Sequence, residues 1–168
     1  SDSRTLIAVL TDFNSDIWVA PEADAARAHK LTSGTGAYLD VCYTPDGRIV
    51  YASQAGGNWD VWVMNADGSG RQQLTADAGV NAHPAVSPDG RQIIFASNRA
   101  GTFNIWRMGI DGGNPVRLTS GGGEKFPNWS PDGQKIIFGS NRDFFSGLYV
   151  MNADGSNVVN ISGVGGSN

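Results

Sequence analysis

The chain has 168 residues, a formal net charge of −4, 40 % apolar and 17 % charged residues. That mix fits a folded β protein and argues against disorder, and mild acidity removes any global attraction for nucleic acid or an anionic membrane. Cys42 stands alone, which excludes an intrachain disulfide, and no apolar stretch approaches bilayer-spanning length.

From the N-terminus, Thr5 to Leu10, Asp16 to Ala20 and Lys30 to Thr32 read as three short strands. They match the second, third and fourth strands (b, c and d) of a repeat that fills the rest of the chain. Pro-Asp-Gly recurs at Pro45-Asp46-Gly47, Pro88-Asp89-Gly90 and Pro131-Asp132-Gly133, a period of 43 residues. An apolar run comes after each turn, at Ile49 to Ala52, Ile93 to Ala96 and Ile136 to Gly139. Next comes a strand centred on Trp62, Trp106 or Tyr149, then an Asp-Gly turn (Asp67-Gly68, Asp111-Gly112, Asp154-Gly155). Leu74-Thr75 and Leu118-Thr119 close two copies, and Ile161-Ser162 closes the last.

A period in the forties with four short strands per unit is the signature of a propeller blade. In the unit starting near Asn81, the strands fall at about Ala82 to Ser87, Gln92 to Ser97, Phe103 to Gly109 and Val116 to Thr119. Pro presets φ, Asp bonds nearby backbone and Gly takes the left-handed position, so each Pro-Asp-Gly is a hairpin corner. Strands turned over this often leave no room for a helix of useful length.

The predicted fold is all-β: a propeller of four-stranded antiparallel blades, four in this chain, the first lacking its inner strand. The expected blades span 1–35 (partial), 36–80, 81–123 and 124–168. An open arc exposes two apolar blade faces and one strand edge. Three arrangements meet that difficulty: an arc of a larger ring, two copies joined into eight blades, or a closed four-bladed ring. The strand deficit favours the first two.

The recurring Ser-Pro-Asp-Gly, Ser-Asn-Arg, Asn-Ile-Trp, Asn-Ala-Asp-Gly and Leu-Thr elements resemble the TolB-type, WD-repeat-like propeller family. The best matches are Trp129 to Gly133 with Ser140-Asn141-Arg142, and Trp62 to Gly68. The resemblance covers essentially the whole chain and implies inner a strands, outer d strands, and a bacterial periplasmic or extracellular setting. It also implies a module that binds or gates, with any chemistry added by another domain. Oligogalacturonate lyases of this fold are expected to use a His-rich metal site, which His29 and His83 alone do not supply.

Candidate sites emerge from departures and repeats. Asn65 to Ser69 and Asn152 to Ser156 look like the start of a calcium loop but lack its later acidic ligands, so the turn reading is preferred. Arg99 and Arg142 end Ser-Asn-Arg elements; they suit carboxylate recognition at the ring entrance or, structurally, a bond to a turn carboxylate such as Asp89 or Asp132. His83 starts an inner strand and is placed near the channel mouth by the resemblance. The loop Asp143-Phe144-Phe145-Ser146 carries aromatics that the matching Ala100-Gly101-Thr102 lacks, and Glu124 and Lys125 end a variable loop. Aromatics beside charges suit a peptide or a glycan.

No nucleophile elbow, phosphate loop, paired Cys or His-Glu helix motif is present in the sequence. The expectation is a non-catalytic propeller without cofactor or metal, engaging a protein or peptide through its rim. No nucleic-acid partner or membrane insertion is expected, and self-association is. The alternatives are a glycan-binding module, or the propeller part of a peptidase or lyase whose catalytic residues lie elsewhere.

Overall fold

A computed structural model of the chain describes residues 5–11, 15–33, 37–76, 79–143 and 146–163. The described residues form four antiparallel sheets. The first is β1 (Leu6–Thr11), β2 (Ser15–Ala20) and β3 (His29–Lys30), in the order β1-β2-β3. The second is β4 (Tyr38–Tyr43), β5 (Ile49–Ser53), β6 (Asp60–Met64) and β7 (Gln72–Gln73). The third is β8 (Asn81–Val86), β9 (Gln92–Ser97), β10 (Asn104–Gly109) and β11 (Val116–Arg117). The fourth is β12 (Lys125–Trp129), β13 (Lys135–Ser140), β14 (Gly147–Asn152) and β15 (Val159–Asn160). Between β2 and β3 lie two three-residue 3₁₀ turns, Pro21–Ala23 and Ala25–Arg27.

The corners behave as their residues require. Gly47, Gly90 and Gly133 have φ of 87°, 72° and 69°, the region glycine enters without steric cost. Asp89 accepts bonds from Ser87 Oγ and Arg91 N, and Asp132 from Ser130 Oγ and Gln134 N. Those donors, the serine hydroxyl first in each case, hold both carboxyls below the ordinary value of 3.8. The Asn-Ala-Asp-Gly-Ser turns work alike: Asp67 and Asp154 each accept from the serine two residues on.

The sheets bury the same register positions three times. Between the first and second sheets, Ile17 and Val19 meet Ile49, Tyr51 and Met64. Between the second and third, Val50, Val61 and Val63 meet Ile93, Phe95 and Met108. Between the third and fourth, Ile94, Ala96 and Ile105 meet Ile136, Phe138, Tyr149 and Met151. The inner strand β8 packs on β4 at one side and β12 at the other, so the inner strands converge. Among the described residues, no packing of comparable extent joins the first sheet to the fourth. These four sheets are an open arc, not the closed four-bladed ring that was one of the expected arrangements.

Leu6 and Leu10, facing outward from the first sheet, are 58 % and 59 % exposed; Leu148, Val159 and Ile161 of the fourth sheet are 43 %, 53 % and 48 % exposed.

A candidate binding row on the channel wall

Each complete inner strand carries a β-bulge, with register shifts between Leu39 and Val41, Ala82 and Ala85, and Lys125 and Asn128. The bulges hold Asp40, His83 and Phe126 at φ of 47°, 54° and 55°. Left-handed backbone is tolerable for Asp and His but strained for a ring as large as Phe, and such strain gathers at functional sites. The three residues stand 43 apart, one per blade.

They touch in sequence along the wall. His83 N donates to Asp40 Oδ2 at 3.2 Å, and His83 Nδ1 lies 2.9 Å from the same oxygen. That second contact lacks hydrogen-bond geometry, so it is an ion pair only when the imidazole is protonated. The Phe126 ring lies 4.1 Å from the His83 ring, centroid to centroid, tilted by 44°. Phe126 is 65 % exposed. The row borders a cavity of about 310 Å³ with Cys42, Pro84 and Asn128. Burial first, with the Asp40 charge adding, pushes the Cys42 thiol up to about 11, so it is no nucleophile near neutral pH. The row can grip a side chain by stacking and by charge; it offers no nucleophile–base pair.

The other residues that sequence singled out fall elsewhere. Glu124 is fully buried and accepts from Thr119 Oγ1, from Arg142 Nη2, and from Asn104 Nδ2 at 3.2 Å. The corresponding lock between the second and third sheets has Asp60 accepting from Thr75 Oγ1 at 2.7 Å and Asn81 Nδ2 at 2.9 Å. Carboxylate and amide have exchanged strands, so each interface keeps one charge and one amide.

Arg99 has the same plan, its Nη2 donating to Asn81 Oδ1 at 2.8 Å while the guanidinium covers Phe95 and Trp106. Arg142 covers Phe138 and Tyr149. Neither arginine bonds Asp89 or Asp132 as expected, because those carboxylates are taken by their own turns. The arginines instead reach the start of the inner strand of their own blade, Asn81 as the first residue of β8 and Glu124 just before β12.

Asp143 accepts from the Tyr149 hydroxyl, and that bond holds the phenol above its usual range. Lys125 Nζ lies 4.4 Å over the Phe103 ring, away from His83. Phe144 and Phe145 lie outside the described residues. The structure therefore gathers Glu124, Arg142 and Asp143 into blade packing, and leaves His83 with two partners that sequence reading missed. A shift of 43 residues either way from His83 would have found Asp40 and Phe126.

Among the described residues, no group of three His, Cys, Asp or Glu side chains could hold a metal ion. A family model described as the Tricorn protease N-terminal beta propeller domain matches residues 60–151, more than half of the chain. The chain belongs to this propeller family.

The chain is also similar to TolB proteins. A segment of 43 residues is 48 % identical to the Tol-Pal system protein TolB of Anaeromyxobacter dehalogenans (strain 2CP-C), covering 25 % of this chain and 10 % of that relative. A TolB-type structure from Agrobacterium tumefaciens matches with a TM-score of 0.83 at 30 % identity, covering 95 % of this chain and 61 % of that one. An oligogalacturonate lyase in complex with manganese shares the fold alone, with a TM-score of 0.71 at 13 % identity over 95 % of this chain and 49 % of that one. The chain thus spans less than two thirds of each of these proteins.

Proposed function

We propose that the chain is a non-catalytic binding propeller of the bacterial periplasm that engages a protein or peptide through its channel wall and rim. The observation that carries this reading is the Asp40–His83–Phe126 row, where three left-handed bulge positions, strained at Phe126, present a carboxylate, an imidazole and an exposed ring side by side. Aromatic anchors that become buried beside a charge are the usual energetic centre of a protein contact. Similarity to a Tol-Pal system protein supports a protein partner and the periplasmic setting. The uncovered faces of the first and fourth sheets suit association with further blades, a second copy included. Blade limits at 35, 80 and 123 complete the reading.

The test is a selection of displayed peptides against the chain, with titration of the best binder. Phe126→Ala and His83→Ala should each weaken it by about tenfold or more, as for central contact residues. Binders indifferent to both changes, or no saturable binder, would remove the proposal.

A further inference from the structure

Between the third and fourth sheets, at the end of the blades where the Pro-Asp-Gly corners lie, is a cavity of about 400 Å³. Pro88, Asp89, Gln92, Trp129, Asp132 and Ala153 are among the residues that line it. It shares no residue with the channel row or with the Glu124 lock.

The matching place between the second and third sheets is built differently. Ile110 N donates to Arg91 O at 3.0 Å and Ala153 N to Gln134 O at 2.9 Å, so the two backbones take the same course. There the Ile110 side chain packs into the core together with Val86. Ala153, 43 residues after Ile110, removes that bulk, and Trp129, 43 residues after Val86, takes its place. The corners are also wider apart. A Cβ on Gly90 would lie 3.1 Å from Pro45 Cδ, whereas one on Gly133 would lie 3.5 Å from Pro88 Cδ. The Trp129 ring is pinned, its Nε1 donating to Ala85 O at 3.2 Å.

Charge decides what such a cavity takes. Ser87 Oγ and Arg91 N both donate to Asp89 Oδ1, and Ser130 Oγ and Gln134 N both donate to Asp132 Oδ1. Both Oδ2 atoms are left without a hydrogen bond among the described residues. At the second corner the same oxygen is occupied, because Arg48 Nε donates to Asp46 Oδ2 at 3.0 Å. Arg48 also closes its corner by accepting from Thr44 N, a place taken by Gln92 in the third blade and Lys135 in the fourth. Lys135 Nζ donates instead to Asn152 Oδ1 at 2.6 Å, and Arg107 Nη1 to Ala153 O at 2.9 Å. Arg91 is exposed, and its charge acts on Asp89 less than the two hydrogen bonds do.

We propose that this cavity binds an arginine side chain of a peptide partner, its guanidinium bonding Oδ2 of Asp89 and Asp132 and lying against Trp129. The second corner shows the chemistry, since a guanidinium already holds the matching oxygen there. A planar fork of donors suits carboxylate oxygens, and an indole face attracts a cation. This site is separate from the channel-wall row and stands without it.

The probes are N-acetyl-arginine N-methylamide and its citrulline counterpart, which keeps the shape and loses the charge. Each is titrated into the full chain while NMR follows the Trp129 indole N–H and the Gly90 and Gly133 amides. The arginine probe should shift these signals saturably, with a Kd on the order of millimolar for a single side chain. Asp89→Asn and Asp132→Asn, which keep an acceptor for the turn, should each weaken it by about tenfold. Ala153→Ile, which copies the packing around Ile110, should abolish it. Should that change unfold the chain, the two asparagine variants decide. Citrulline binding as well as arginine, shifts spread evenly to the Asp67 and Asp154 corners, or unaltered binding by the variants would each overturn the proposal.

Discussion

The interface between the third and fourth sheets and the free outer face of the fourth use the same repeat positions in opposite circumstances. Ile105 is fully buried, whereas Leu148, 43 residues on, is 43 % exposed. Leu118 packs into the core, whereas Ile161 is 48 % exposed. The polar positions behave differently. Asn104, which anchors Glu124 in the covered interface, gives way to Gly147 on the free face. The apolar positions are thus kept in the fourth sheet, while the Asn104 position is not.

The sharpest way to break this contrast is to remove the lock. Glu124→Leu should cost about 3–5 kcal/mol in urea unfolding, because it strands Arg142 and Asn104 without their acceptor. Grafting the other interface sharpens it: Asn104→Asp should destabilise by setting two carboxylates together. Adding Glu124→Asn, which rebuilds the Asp60–Asn81 arrangement, should recover most of that loss. A double change no better than the sum of its parts would show that the two interfaces are not versions of one lock.

Truncation of matched apolar residues comes next. Ile105→Ala should cost about 3 kcal/mol and Leu148→Ala less than about 1, read from the same unfolding curves. Equal costs would mean that the outer face is covered.

Acid gives a smaller, graded effect. Asp67, Asp89, Asp132 and Asp154 are held below their ordinary 3.8 by serine hydroxyls and turn amides. The unfolded chain binds protons first, so this contribution is present above the ordinary value and fades as pH falls through the depressed ones. The urea midpoint should decline as pH drops from about 4 to 2, and Ser87→Ala should blunt the decline.

The smallest change in stability is expected at the channel wall. Phe126→Gly relieves left-handed strain while losing the His83 contact, so its unfolding free energy should move by no more than about 1 kcal/mol. Peptide binding should nonetheless be lost.

Much of the architecture was legible because turn chemistry repeats letter by letter. Pro-Asp-Gly, the Trp62 and Trp106 positions and the closing Leu-Thr located the strands to within a residue or two. The lock was harder to see, because Asp60 with Asn81 becomes Asn104 with Glu124 and no letter persists at either place. The channel row was harder still. A bulge is a property of backbone register, and Asp40, His83 and Phe126 share a conformation but no chemistry. The arginines misled for a related reason: Arg99 reaches Asn81, 18 residues back across the blade, rather than a nearby turn.

Thiol accessibility tests the open arc most directly. In a Cys42→Ser background, Ile105→Cys and Leu148→Cys place the same probe at one repeat position, covered in one blade and uncovered in the next. An open arc requires the thiol at 148 to react with a disulfide reagent at nearly the rate of a free cysteine, while that at 105 reacts only as the chain unfolds. Equal protection of both in the monomer would contradict it.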